Sequence, residues 1–181
     1  MLRDDVLETL GRLDEAGVRY WLHGGWGMDA LLGEETRPHD DLDLAVDRDD
    51  LARLEAALPE YTRVPERDEW PSSFVLADAR GRQIDLHPLR MDPGGDGWQA
   101  QADGSEVRWS REDLAGRGRV GTRAVRCTSP GFEAASHGYE GHDDIDRRDH
   151  ELLARHFGLP LPTGPWPGHL HPKRVRARRA P

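Results

Sequence analysis

His23-Gly24-Gly25-Trp26-Gly27, followed after a gap by Thr36-Arg37-Pro38-His39-Asp40-Asp41-Leu42-Asp43, is the stretch from which the rest of this 181-residue chain is read. Before it, Val18-Arg19-Tyr20-Trp21-Leu22 is rich in β-branched and aromatic residues and predicts a strand. Gly24-Gly25 breaks that strand. Trp26 to Leu32 predicts a helix closed by Gly33, and a polar connection through Pro38 leads to a second strand, Leu42 to Val46.

The pieces fit one chemical scheme. Two glycines between a strand and a helix let the backbone turn sharply and come close to a ligand. The helix that follows offers unpaired N–H groups and the positive end of its dipole, which suits a triphosphate. Asp41 and Asp43 are two residues apart on a strand and so share a face, while Leu42 and Leu44 point into the core. Adjacent carboxylates repel one another unless a cation neutralises them. Magnesium prefers hard oxygen ligands, and two-metal phosphoryl transfer places ions roughly 3.5–4 Å apart on shared carboxylates. The bland alternative is a solvated acidic strand face. Asp85 weighs against it, because it is embedded in Ile84-Asp85-Leu86 and a carboxylate in a buried strand is costly unless paired or metal-bound. If the two strands are neighbours, three carboxylates converge, and the third binds a metal or takes a proton from an attacking hydroxyl.

Working outward, residues 3–16 predict a helix on the spacing of Val6, Leu10 and Leu13. A helix carrying Leu51, Leu54 and Leu58 is capped by Asp49 or Asp50 and ended by Pro59. Strands are expected at 61–64, 73–77 and 83–86, a loop over 91–104, and short strands at 107–109 and 124–127. Ser129-Pro130 starts a helix to about His137, and a last helix spans roughly 144–157. Beyond Gly158 five prolines precede a basic end, Lys173 to Arg179, read as a solvated, extended tail.

The chain is 36% hydrophobic and 33% charged, with net charge −9 and mean hydropathy −0.79. That balance argues against a nucleic-acid partner, which calls for a basic patch; it suits a cationic partner better than a polyanion, and simple solubility accounts for it more readily than steering does. No apolar run approaches a membrane span and the first residues are acidic, so a cytoplasmic protein without membrane attachment is expected. The single cysteine, Cys127, excludes an internal disulfide and has no context that would activate it. The histidines of residues 137–171 show no zinc-ligand spacing.

Gly-Gly, a gap, Asp-x-Asp, and a separate strand bearing a third Asp resemble the nucleotidyltransferase superfamily related to DNA polymerase β. The fuller run Gly24-Gly25-Trp26-Gly27-Met28-Asp29, Gly33 and Thr36 to Asp43 is similar to the antibiotic nucleotidyltransferases, first the small lincosamide type and then the aminoglycoside 2″-type. Ile84-Asp85-Leu86-His87-Pro88, His137-Gly138-Tyr139 and Asp146 also resemble the lincosamide group. The resemblance implies an α/β (α+β) fold: a mixed sheet flanked by helices over residues 1–128, helices at 129–158 completing an acceptor cleft, and a tail at 159–181. It implies ATP or another NTP, two magnesium ions, and transfer of a nucleoside monophosphate to a hydroxyl of a small-molecule drug with release of pyrophosphate. Gly24 and Gly25 would touch the triphosphate, Asp41 and Asp43 would bind the metals, and Asp85 would be a third ligand or the general base.

Arg37 is a candidate phosphate contact or a structural ion-pair partner. His39 would hold the loop by hydrogen bonds. His137 and Tyr139 would line the acceptor cleft or simply pack at a helix end. The same fold also serves antitoxins that modify a partner protein, and a non-catalytic nucleotide-binding module is a third reading. The sequence is compatible with a monomer and with a homodimer.

Overall fold

A computed structural model describes residues 1–136 and 144–160. Its contacts divide the chain into two units, Met1–Glu133 and Ala134–Pro181.

In the first unit, α1 (Arg3–Glu15) buries Val6, Thr9, Leu10 and Leu13 on one face. Then come β1 (Tyr20–His23), α2 (Gly24–Leu32), β2 (Leu42–Asp47) and α3 (Leu51–Ala57). Four strands follow, β3 (Thr62–Glu69), β4 (Ser73–Ala77), β5 (Gln83–Met91) and β6 (Gly97–Ala100). Three more, β7 (Glu106–Trp109), β8 (Gly116–Val120) and β9 (Arg123–Cys127), lead to α4 (Pro130–Ser136), which begins in this unit. Helix α2 ends as expected at Gly33, whose φ of 76° suits a residue without Cβ.

Among the described residues the main sheet runs β3-β4-β5-β2-β1-β9-β8, with β6 pairing β5 and β7 beyond that path. It is mixed, as expected: β2 pairs β5 in parallel and β1 pairs β9 in parallel, while the other pairs are antiparallel. Its two faces differ. Leu22, Leu42, Leu44, Leu86 and Phe74 pack with Val6, Leu10 and Leu13 of α1, Trp26 and Ala30 of α2, and Leu54 of α3 in the main core. The other face holds a smaller cluster of Trp21, Ala45, Leu89, Trp109 and Leu114. The polar side chains of the candidate site share this second face, because alternation along a strand separates the two sets.

Several boundaries differ from the sequence expectation. Helix α2 begins at Gly24 rather than Trp26, so the two glycines are its first turn instead of a linker. Asp41 lies one residue before β2. Strand β5 continues to Met91, and the segment expected as loop from 91 to 104 contains β6. Strand β8 was not expected at all, and β3 extends to Glu69. In the second unit, α5 (Asp144–Phe157) buries Leu153 and Ala154, and His150 Nδ1 lies 2.6 Å from the Ala134 carbonyl. None of the helices formed by described residues is long and apolar enough to cross a membrane.

Candidate active site

Three central strands bring the polar residues into one row. His23 of β1 stands opposite Asp43 of β2, and Asp43 stands opposite Asp85 of β5. All three are buried, at 8%, 7% and 6% exposure. One step along the same face, Ala45 pairs with His87, also buried. His87 Nε2 lies 3.5 Å from Asp85 Oδ1, and the His23 and His87 rings meet edge-on with centroids 4.7 Å apart. Asp41 stands on the same face by alternation and is half-buried.

The glycines make room for these side chains. Gly24 has φ +63°, and a Cβ there would overlap the Asp43 carboxylate. A Cβ on Gly25 would overlap the His39 ring. The Gly24 N–H donates to Glu133 Oε2 at 3.2 Å, and the Thr128 hydroxyl also bonds the fully buried Glu133. The first amide of α2 is therefore engaged by a carboxylate from α4.

Asp29 of α2 anchors the segment that leads into the acidic pair. Its carboxylate accepts from the Thr36 N–H at 3.1 Å and the Thr36 hydroxyl at 2.6 Å, and pairs with His39 Nε2 at 2.5 Å. With Nε2–H given to Asp29, His39 Nδ1 accepts from the Arg37 guanidinium at 3.0 Å. His39 thus links α2 to the chain just before Asp41, and Arg37 stands beside it.

Arg67 enters from β3. Its guanidinium lies 3.5 Å from Asp85 Oδ2 and 3.9 Å from Asp41 Oδ2, and donates to Gln83 Oε1 at 2.5 Å. Asp41 and Asp85 thus share a cation supplied by the chain itself. The donor set fits magnesium: Asp41, Asp43 and Asp85 offer only hard oxygens, and the place between Asp41 and Asp85 already accommodates a positive charge.

Sequence reasoning missed Arg67 and Glu133, and it quoted His23 and His87 within motifs without giving either a role. Of these, only His87 carried a readable signal, since it follows Asp85 by two residues and so shares its face. His137 and Tyr139, together with the Asp146 side chain, lie outside the described residues. Burial pushes the Cys127 thiol up to about 12, with the nearby Glu133 adding to the effect, which removes it as a nucleophile.

The family model described as aminoglycoside-2''-adenylyltransferase matches residues 5–154. A lincosamide resistance protein of Staphylococcus haemolyticus is 28% identical over 147 residues, covering 81% of this chain and 88% of that protein. A 2''-aminoglycoside nucleotidyltransferase of Klebsiella pneumoniae is 31% identical over 126 residues, covering 68% of this chain and 66% of its own length. The crystal structure of the lincosamide antibiotic adenylyltransferase LnuA, lincomycin-bound, superposes with TM-score 0.74 at 25% identity, over 84% of this chain and 96% of that one. The structure of ANT(2'')-Ia in complex with adenylyl-2''-tobramycin shares the fold, with TM-score 0.68 at 20% identity over 86% and 89% of the two chains.

Proposed function

Because the chain belongs to the aminoglycoside-2''-adenylyltransferase family and is a nucleotidyltransferase, we propose that it moves a nucleoside monophosphate from ATP or another NTP to a hydroxyl of a small cationic antibiotic. The acceptor class is lincosamide or aminoglycoside, and the reaction belongs in the cytoplasm. The observation that carries this reading is the carboxylate set: Asp43 and Asp85 stand opposite one another in the parallel register of β2 and β5, and Asp41 and Asp85 share Arg67.

In this scheme Asp41 and Asp43 hold magnesium, with Asp85 as third ligand or general base. Bound there, the metal would neutralise the phosphate oxygens and offset the charge developing on the leaving pyrophosphate. The acceptor oxygen attacks the α-phosphorus, the bond from that phosphorus to the bridging oxygen breaks, and pyrophosphate leaves. As general base, Asp85 would take the acceptor proton. Gly24 and Gly25, which leave room for Asp43 and His39, would touch the triphosphate, and Arg37 would contact phosphate from the loop that His39 holds. The rest is positioning: two reactants fixed in line need little covalent help from the protein. A net charge of −9 suits a cationic acceptor and disfavours a polyanionic one.

The test is a panel of lincosamides and aminoglycosides incubated with each NTP and magnesium, with products identified by mass shift. A nucleoside monophosphate adduct with matching pyrophosphate release is expected. Asp43→Asn should abolish the adduct while the circular dichroism spectrum and melting transition persist. Near-normal turnover by that variant would remove the metal scheme, and an adduct found only on a co-expressed protein would redirect the activity to a protein partner.

A further inference from the structure

His23, Asp43 and His87 each present one ligand-type atom, and these atoms lie within 4.8 Å of one another. All three residues are buried. Two imidazoles and a carboxylate form a set that binds zinc, cobalt and other transition metals more tightly than magnesium. Asp43 belongs to this set and to the oxygen-only set with Asp41 and Asp85, so a soft metal here would take away a magnesium ligand. What the cluster does turns on which nitrogen of His87 carries its proton.

The neighbours of His87 answer that question. Gln99 of β6 is buried and its amide lies between three groups. Trp109 Nε1–H, which can only donate, lies 3.1 Å from Gln99 Oε1. The Ser72 carbonyl, which can only accept, lies 2.7 Å from Gln99 Nε2. Turning the amide over would set N–H against N–H at Trp109 and oxygen against oxygen at Ser72. The orientation is therefore fixed by partners that cannot change role. Gln99 Nε2 also lies 3.2 Å from His87 Nδ1, and a donor there requires Nδ1 to accept. The proton of a neutral His87 ring then sits on Nε2, the nitrogen 3.5 Å from Asp85 Oδ1.

We propose that the chain Trp109–Gln99–His87 keeps the His87 proton on Nε2, the nitrogen facing Asp85, and so bars the ring from metal coordination. The centre is thereby kept as a hard-oxygen site that selects magnesium or manganese over zinc. His87 is a positioning residue in this scheme: it turns an N–H toward Asp85, withholds a nitrogen ligand from the metal and touches no reacting atom. The proposal rests on the transferase reading for its purpose, but its geometry can be tested without turnover.

The full-length protein labelled with 15N-histidine reads the tautomer directly through long-range proton–nitrogen correlations, with His87→Leu assigning the signal. Nε2–H with unprotonated Nδ1 is expected, and a proton on Nδ1 of the wild-type ring overturns the assignment. Cobalt(II) titrated without nucleotide and followed by its visible absorption supplies the second readout. The wild type should show no histidine-ligated cobalt band that His87→Leu removes. Gln99→Glu replaces the amide donor with an acceptor, turns the proton to Nδ1 and frees Nε2 to bind. It should raise cobalt affinity at least about tenfold, the scale on which partners of a ligating histidine act. The gain should vanish in Gln99→Glu/His87→Leu.

A wild-type cobalt band carried by His87, or equal cobalt affinity in wild type and Gln99→Glu, overturns the proposal. If Gln99→Glu does not fold, the wild-type tautomer still decides. In an active preparation, His87→Leu should lower kcat by about 10- to 100-fold with little change in KM for the nucleotide. A wild type inactive on every acceptor would count against the transferase reading while leaving the tautomer and cobalt results intact.

Discussion

At Gly24 two constraints coincide: a φ of +63° that L side chains rarely adopt, and the Asp43 carboxylate where a Cβ would go. Gly24→Ala is expected to cost about 1–3 kcal/mol of stability and to displace Asp43, so thermal melting and turnover should both fall. Normal activity at a lowered Tm would mean that Asp43 tolerates the displacement. Arg67 poses the opposite case, a side chain whose removal should strengthen a function. Its guanidinium faces the carboxylates that a divalent ion would occupy, so Arg67→Gln should bind manganese more tightly without nucleotide, by a few-fold at most because Arg67 is 42% exposed and its pairing is screened. Calorimetry would measure this, and weaker binding would show that Arg67 helps to hold the ion. The carboxylates themselves were legible from two-residue spacing and from Asp85 between apolar neighbours. Arg67, Glu133 and Gln99 were not, because each reaches the site from an element whose place depends on tertiary packing.

Among the elements, β2 and β5 show why the frame was readable. Leu42-Asp43-Leu44 and Ile84-Asp85-Leu86 alternate, so one face declares itself as core and the other as site. Leu44 and Leu86 are fully buried, and truncation of either to alanine should cost about 2–5 kcal/mol, measured by denaturant unfolding. A loss below 1 kcal/mol would mean that the core collapses around the cavity. Strand β8, Gly116-Arg117-Gly118-Arg119-Val120, carries no such pattern and reads as a loop. Its glycines are spent on close approach: a Cβ on Gly118 would overlap the Ala30 carbonyl of α2, and one on Gly116 the Thr128 carbonyl. Strand β6 was hidden for a related reason. Gly97 and Gln99 look like loop residues until the Gln99 amide is seen bonded among Trp109, Ser72 and His87.

For the molecule as a whole, acid and a single thiol offer two probes. The Glu60 carboxyl is held down to about 2 by its hydrogen bond from Arg12. A carboxyl lowered on folding adds stability above its unfolded value near 4.5, and that stability is lost as pH falls from there through 2. Both partners are partly exposed, so the contribution is under about 1 kcal/mol after screening. The stability gap between wild type and Glu60→Gln should close over that range, and a gap unchanged at pH 2 would refute the assignment. Cys127 is fully buried with its thiol raised to about 12, so a thiol reagent at pH 8 should label the chain only as it unfolds. Labelling and loss of circular dichroism should share one denaturant midpoint, and rapid labelling of the native chain would contradict the burial. The cross-strand row of His23, Asp43 and Asp85 has one more consequence. Side chains alternate with period two, so a strand paired one residue out of step presents the wrong parity: β5 would offer Ile84 or Leu86 to Asp43 and turn Asp85 toward the leucines. Each central strand thus carries one bit of a parity check, and on a refolded sample turnover would count the molecules that pass it.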